Sequence, residues 1–240
     1  MPTTVLITGA NRGIGYGIVE AYLARPDHIV VATARDTSSM PKPGKVAQGS
    51  KLIGVRYDAA EGDGEREMIA EAKKQGVEKL DIVVANAAIM TDDCFAPLAK
   101  VDPAVFEQHW RINVLGTLKV FQACVPLMPK GAKFIFMSSG ASIIDRVPDK
   151  TDATYGITKC NINYLARYSH FENPDLIIWP MSPGWVQTEM GDRGARSVGM
   201  KQAPITVEES VSGMLKVIDD ATRETTGGVH MRYNGDLSKW

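Results

Sequence analysis

The chain has little cysteine: Cys94, Cys124 and Cys160 are three in 240 residues, with no C-x-x-C pair. An odd, scattered set excludes a disulfide framework and gives no zinc spacing. The four histidines, His28, His109, His170 and His230, also lack ligand spacing, so no metal site is expected. Charge of one sign is not in excess: 27 basic and 28 acidic residues are well mixed, for a formal net charge of −1. No basic footprint for nucleic acid or acidic lipid follows from that balance. No apolar run is long enough to span a bilayer, and Val5-Leu6-Ile7 is far too short for a signal core. These absences lead to the expectation of a soluble, cytoplasmic protein with a small-molecule partner, no nucleic acid and no membrane.

What is present is alternation. β-Branched runs at Val5 to Thr8, Ile29 to Ala34, Leu52 to Tyr57, Leu80 to Ala85, Lys133 to Ser138 and Leu176 to Met181 are separated by segments of helical length and apolar spacing. Those helical segments are Gly15 to Leu23, Glu65 to Lys74, Pro103 to Met128, Thr154 to His170 and Val207 to Ile218. The pattern predicts repeated βαβ units: an α/β fold, a doubly wound parallel sheet with helices on both faces, in a single domain over residues 1–240. Such sheets bind ligands at the carboxyl ends of their strands. One composition shift interrupts the alternation at 189–204, "EMGDRGARSVGMKQAP", where glycines and charges replace the apolar pattern. It is expected to be a mobile surface excursion serving as a lid over a substrate site.

Directly after the first strand comes "TGANRGIG", Thr8 to Gly15, leading into an amphipathic helix. Gly9, Gly13 and Gly15 let the backbone turn tightly and approach a ligand with no Cβ in the way. The helix N-terminus then offers free N–H groups and positive dipole to a pyrophosphate. Between a strand and a helix, such a cluster is a dinucleotide signal, although its spacing is not G-x-G-x-x-G. The second strand ends in "ATARD". A carboxylate at this point accepts from the ribose 2′-hydroxyl of NAD, whereas Arg35, with Arg12 from the glycine turn, favours a 2′-phosphate and so NADP(H). Asp36, one position on, is close enough to reach the ribose.

"ATYGITK", residues 153 to 159, puts a phenol and an ammonium one helical turn apart. A free tyrosine has a pKa of about 10, so proton shuttling near neutrality needs a downward shift of about three units, roughly 4 kcal/mol. A cation at about 4 Å with an effective dielectric near 20 supplies about that much.

Thr-Gly-x-x-x-Gly-x-Gly together with Tyr-x-x-x-Lys resembles the short-chain dehydrogenase/reductase family. The resemblance covers essentially the whole chain, because Asp58, "ANAA" at 85–88, "IN" at 112–113, "SS" at 138–139 and "PGWVQT" at 183–188 also fall at family landmarks. The combination looks most like the NADPH-dependent carbonyl reductases and fungal ketoreductases, and implies a Rossmann-type sheet. By that resemblance Tyr155 is the general acid/base, and Lys159 lowers its pKa and holds the nicotinamide ribose. Ser139 bonds the substrate oxygen, and Asn113 holds a water linking Lys159 to solvent. The cofactor set it implies is Thr8, Gly9, Asn11, Arg12, Gly13, Ile14, Gly15, Arg35, Asp58, Asn86, Tyr155, Lys159, Val186 and Thr188. The implied reaction is hydride transfer from NADPH to a ketone or aldehyde. The alternative is a non-catalytic NADP(H) sensor, which tends to lose catalytic side chains that this chain keeps.

Two departures from the family pattern stand out. Sixteen positions separate Ser139 from Tyr155, more than is usual, so residues 140–153 must bulge and Ser142 rivals Ser139. Ala88 stands where glycine is common. Phe121, Tyr164, Leu165, Tyr168 and Phe171 exceed what one sheet face needs, which is expected to serve a homodimer or homotetramer interface.

Overall fold

The computed structural model describes residues 2–145 and 152–240. Seven strands, β1 (Thr3–Ile7), β2 (His28–Ala34), β3 (Lys51–Arg56), β4 (Ile82–Ala85), β5 (Lys133–Met137), β6 (Ile177–Ser182) and β7 (Met231–Arg232), form one sheet. Their order is β3-β2-β1-β4-β5-β6-β7, and every neighbouring pair is parallel. The chain therefore winds outward from β1 in one direction and, after crossing to β4, in the other. The crevice between β1 and β4 is the topological switch point, where such sheets bind ligands.

Alternate residues of each strand face opposite layers, as strand geometry dictates. Leu6, Val31, Val83, Phe134, Phe136 and Ile178 enter one core, covered by helices α2 (Gly64–Lys74), α4 (Thr117–Cys124) and α5 (Ala153–Glu172). Ile7, Val30, Val84, Ile135 and Trp179 enter the other, covered by α1 (Gly13–Leu23) and α7 (Val207–Asp220). Both faces are dry, which is why the strands read as unbroken apolar runs. The predicted α/β, doubly wound fold is thus the observed one. No helix among the described residues is long and apolar enough to cross a membrane.

The structure corrects two expectations and adds a strand. The helix expected over Pro103 to Met128 is α3 (Pro103–Trp110), a π-helical turn (Arg111–Gly116), α4 and a short 3₁₀ turn (Val125–Leu127). The wide turn takes up an extra residue, as π-bulges at functional sites often do, and it contains Asn113. Glu189 to Pro204 is not simply an irregular excursion, because Glu189–Ser197 forms a helix, α6. Strand β7 was not expected: two residues are too few to carry a period. The bulge expected at 140–153 begins as a 3₁₀ turn at Gly140–Ser142, and its residues 146–151 lie outside the described residues.

Candidate active site

The glycine turn sits at the switch point. Gly9 has φ +65°, a left-handed conformation that disfavours side chains, and a Cβ on Gly15 would lie 2.2 Å from the Gly9 carbonyl and 2.8 Å from Asn86 Nδ2. Thr8 and Asn86 hold this cradle rather than stand free in it. Thr8 Oγ1 accepts from the backbone N–H of Asn86 and of Ala87, each at 3.0 Å. Asn86 Nδ2 donates to the carbonyls of Thr8 at 3.0 Å and Gly9 at 3.2 Å. Helix α1 then starts with no side chain capping it. Its first N–H groups and positive dipole end point into the crevice, the arrangement a phosphate requires. The half-buried Ile14 lies in that first turn.

Where the sequence places the adenosine, Arg35 is exposed just past β2, and Asn11 Nδ2 donates to Ser39 Oγ at 3.2 Å. Asp36 caps the short turn Thr37–Ser39: its Oδ1 accepts from Ser38 N at 2.9 Å and Ser38 Oγ at 2.7 Å. Asp58, half-buried after β3, accepts from Ala60 N at 2.9 Å. Arg12 is paired with Glu189 at the start of α6.

Tyr155, Lys159 and Ser139 line the wall made by β5 and α5. Lys159 is 3% exposed, and among the described residues its Nζ donates to one protein oxygen, Met137 O, at 2.8 Å. It lies 5.6 Å from the centroid of the Tyr155 ring. The Ser139 side chain stands close enough to the Tyr155 phenol to lower its pKa, and Ser139 Oγ accepts from Ala141 N at 3.1 Å. Burial pushes the phenol above its ordinary value, and Ser139 pulls it partly back. Burial also lowers Lys159, to about 8. The expected downward shift of Tyr155 is therefore not what this arrangement gives. Tyr155 is half-buried and Lys159 buried, and desolvation is the largest influence on each.

Ser142 is buried and turned away from the phenol: its hydroxyl donates to Ser139 O at 2.6 Å. Of the two rivals, Ser139 is the one that meets Tyr155. Asn113 is fully buried, with its amide engaged by Ile89 N at 2.8 Å, Ile89 O at 2.9 Å and Thr158 Oγ1 at 3.2 Å. It clamps the π-turn to the segment after β4. Val186 and Thr188 follow β6, and Thr188 Oγ1 accepts from Gly191 N at 3.0 Å, capping α6. The Thr188 methyl lies 3.1 Å from where a Gly13 Cβ would be, so the glycine turn and the start of α6 touch.

A family model described as short chain dehydrogenase matches residues 3–197. The chain belongs to the short-chain dehydrogenase family. It is 40% identical to the norsolorinic acid ketoreductase of Dothistroma septosporum, over 99% of this chain and 92% of that protein. The norsolorinic acid ketoreductase of Aspergillus parasiticus is 39% identical, over 94% of this chain and 86% of its own. Among solved structures, the NADPH-bound carbonyl reductase from chicken fatty liver superposes with a TM-score of 0.84 at 24% identity, covering all of this chain and 94% of that one. That likeness establishes the fold.

Sequence reasoning missed the charged strap of this short-chain dehydrogenase. Arg193 on α6 pairs with Glu189 at 3.1 Å and Asp92 at 3.0 Å, and donates to Met90 O at 2.6 Å. With the Arg12 pair, the strap ties α6 both to the glycine turn and to the segment after β4. The i,i+4 spacing of Glu189 and Arg193 is the signal that reading the segment as a helix would have exposed.

Proposed function

We propose that this short-chain dehydrogenase reduces a ketone or aldehyde with NADPH, Tyr155 serving as the general acid. The observation that carries this reading is the meeting of Tyr155 and Ser139, on the same wall as Lys159. Bound NADPH supplies the hydride; the protein has to bind it, hold the carbonyl and deliver a proton. The uncapped start of α1 suits the pyrophosphate, and Val186 and Thr188 suit the carboxamide that fixes the ring face.

Lys159 has N–H donors beyond the one given to Met137 O, and these suit the ribose hydroxyls. An ammonium has three donors. Ser139 holds the carbonyl oxygen, and the Tyr155 hydroxyl protonates that oxygen as charge develops on it. Lys159 and a water held at Asn113 return a proton to Tyr155 from solvent. Preference for the 2′-phosphate is supported by Arg35, exposed just past β2, and by Asp36, one of whose carboxylate oxygens is engaged by Ser38; Arg12 would join Arg35 on release from Glu189. Helix α6 acts as the lid over the substrate side. The two ketoreductases named above support a ketone as substrate. Tyr164, Tyr168 and Phe171, exposed along α5, suit an interface with a second copy of the chain.

The test is Tyr155→Phe, assayed by NADPH oxidation with acetophenone, menadione, acetylacetone and octanone. Turnover should fall by about 10²–10⁴-fold, the range for removing a general acid, with NADPH affinity unchanged. Undiminished turnover, or an equal loss of NADPH binding, would overturn the assignment. Faster turnover with NADH than with NADPH would overturn the cofactor preference.

A further inference from the structure

Tyr155, Lys159 and Asn163 are spaced four residues apart on α5 and so lie on one helical stripe. The first two belong to the proposed mechanism. The third is 4% exposed and sits behind the serine turn. Ser138 Oγ donates to Asn163 Oδ1 at 2.5 Å, Asn163 Nδ2 donates to Ser142 Oγ at 2.9 Å, and Ser142 Oγ donates to Ser139 O at 2.6 Å. Ser138 and Ser142 are each 1% exposed, so the chain of bonds is sealed from water.

The chain has a direction, and Asn163 sets it. A hydroxyl donates one hydrogen, and an amide presents a donor at one end and an acceptor at the other. Because Nδ2 faces Ser142, that hydroxyl receives a hydrogen from Asn163 and is left to give its own to Ser139 O. With an acceptor at Nδ2, Ser142 would donate toward α5 instead, and the carbonyl of Ser139 would lose the tether. The backbone of Ser139 is otherwise held by the Ser142 N–H at 3.1 Å, within a 3₁₀ turn of three residues.

We propose that Asn163 is a positioning residue for the carbonyl-reducing reaction: it polarises a buried hydrogen-bond chain that fixes Ser139, and hence the place of the substrate oxygen, against Tyr155. The inference rests on the reading of Ser139 given under the proposed function. Asn163 touches neither substrate nor cofactor. It acts through Ser142.

The test is Asn163→Asp, which keeps the shape and the acceptor for Ser138 but removes the donor to Ser142. Losing one buried hydrogen bond that orients Ser139 should lower kcat about tenfold, leaving NADPH affinity unchanged. In a Ser139→Ala background the same substitution should cost nothing further in kcat, because the group it positions is gone. A merely structural role would lower kcat by the same factor in both backgrounds, or would lower NADPH affinity as well. Either result overturns the inference, as does an unchanged kcat in the otherwise native protein.

Amide exchange in the free protein gives a readout that needs no substrate. Ala141 and Ser142 should exchange faster in Asn163→Asp while strand β5 does not, and unchanged exchange at both overturns the tether. If Asn163→Asp fails to fold, Ser142→Ala removes the same tether from its other end and enters the same cycle and exchange measurement. If Ser139→Ala alone leaves turnover intact, or no carbonyl is reduced, the proposed function fails, and exchange then decides separately whether Asn163 holds the turn.

Discussion

Two glycine-bearing segments flank the crevice, and they differ in how completely they satisfy themselves. The turn before α1 leaves the helix uncapped, and Lys159, on the wall of β5 and α5, is buried with one protein acceptor among the described residues. Helix α6 is closed on itself: Thr188 caps it, Trp185 Nε1 donates to Gly191 O at 2.8 Å, and Arg193 bonds Met90 O, Asp92 and Glu189. Polar groups left short of partners cost free energy unless a ligand meets them. The cofactor side is thus built to be completed from outside, and the α6 side to stand unaided.

The largest test of that contrast is Lys159→Met. Burial lowers this ammonium to about 8, whereas in an unfolded chain it titrates near 10.4. Between those values the folded protein binds fewer protons than the unfolded chain, so stability rises with pH across that window. Below about pH 8 both states are charged and the penalty is complete. Lys159→Met should abolish turnover yet raise the unfolding free energy at pH 7, on the order of 3 kcal/mol before repacking, with the gain shrinking toward pH 10. Denaturant melts at both pH values measure it. A gain of equal size at both, or a loss at pH 7, would show that the cofactor side carries no such strain.

Gly15→Ala comes next. The added Cβ would fall 2.2 Å from the Gly9 carbonyl, a backbone atom with nowhere to go. Overpacking of this kind costs about 1–3 kcal/mol, and the turn can relieve it only by opening the cradle. NADPH affinity should drop by about ten- to a hundredfold, read by fluorescence titration, while α6 keeps its structure. Unchanged affinity would mean that the turn is not the phosphate cradle.

The same contrast explains what could be read from the sequence. The Thr8 to Gly15 turn was legible because its meaning is local: three glycines between a strand and a helix leave few alternatives. The six long strands were legible for a similar reason, since burial on both faces makes each an apolar run. Segment 189–204 looked irregular because α6 turns glycine to packing: a Gly191 Cβ would meet the Val186 carbonyl at 1.9 Å. Glycines that serve a close approach erase the apolar period that marks a helix. The Tyr155 and Lys159 spacing was plain, but the direction of the phenol's shift was not, because it depends on burial that only the folded wall supplies. Ser139 could not be separated from Ser142 on spacing alone. Their difference lies in which hydroxyl the 3₁₀ turn points inward and which Asn163 captures from another element.

The smallest effect is expected at Gly194, and it discriminates most finely. Its Cβ would meet the Met90 methyl at 3.4 Å and Trp185 Nε1 at 3.6 Å. The nearer atom is the end of a flexible side chain, so it can give way. Within a helix, alanine is favoured over glycine by about 0.8–1.0 kcal/mol. Gly194→Ala should therefore raise the melting temperature slightly and leave NADPH affinity untouched, since α6 is held by its own cap and strap. A carbonyl fitting against Met90 would feel the displaced methyl as a modest rise in KM. A fall in stability, or a change in NADPH affinity as large as that of Gly15→Ala, would erase the distinction between the two sides, making α6 part of the cradle rather than an element standing beside it.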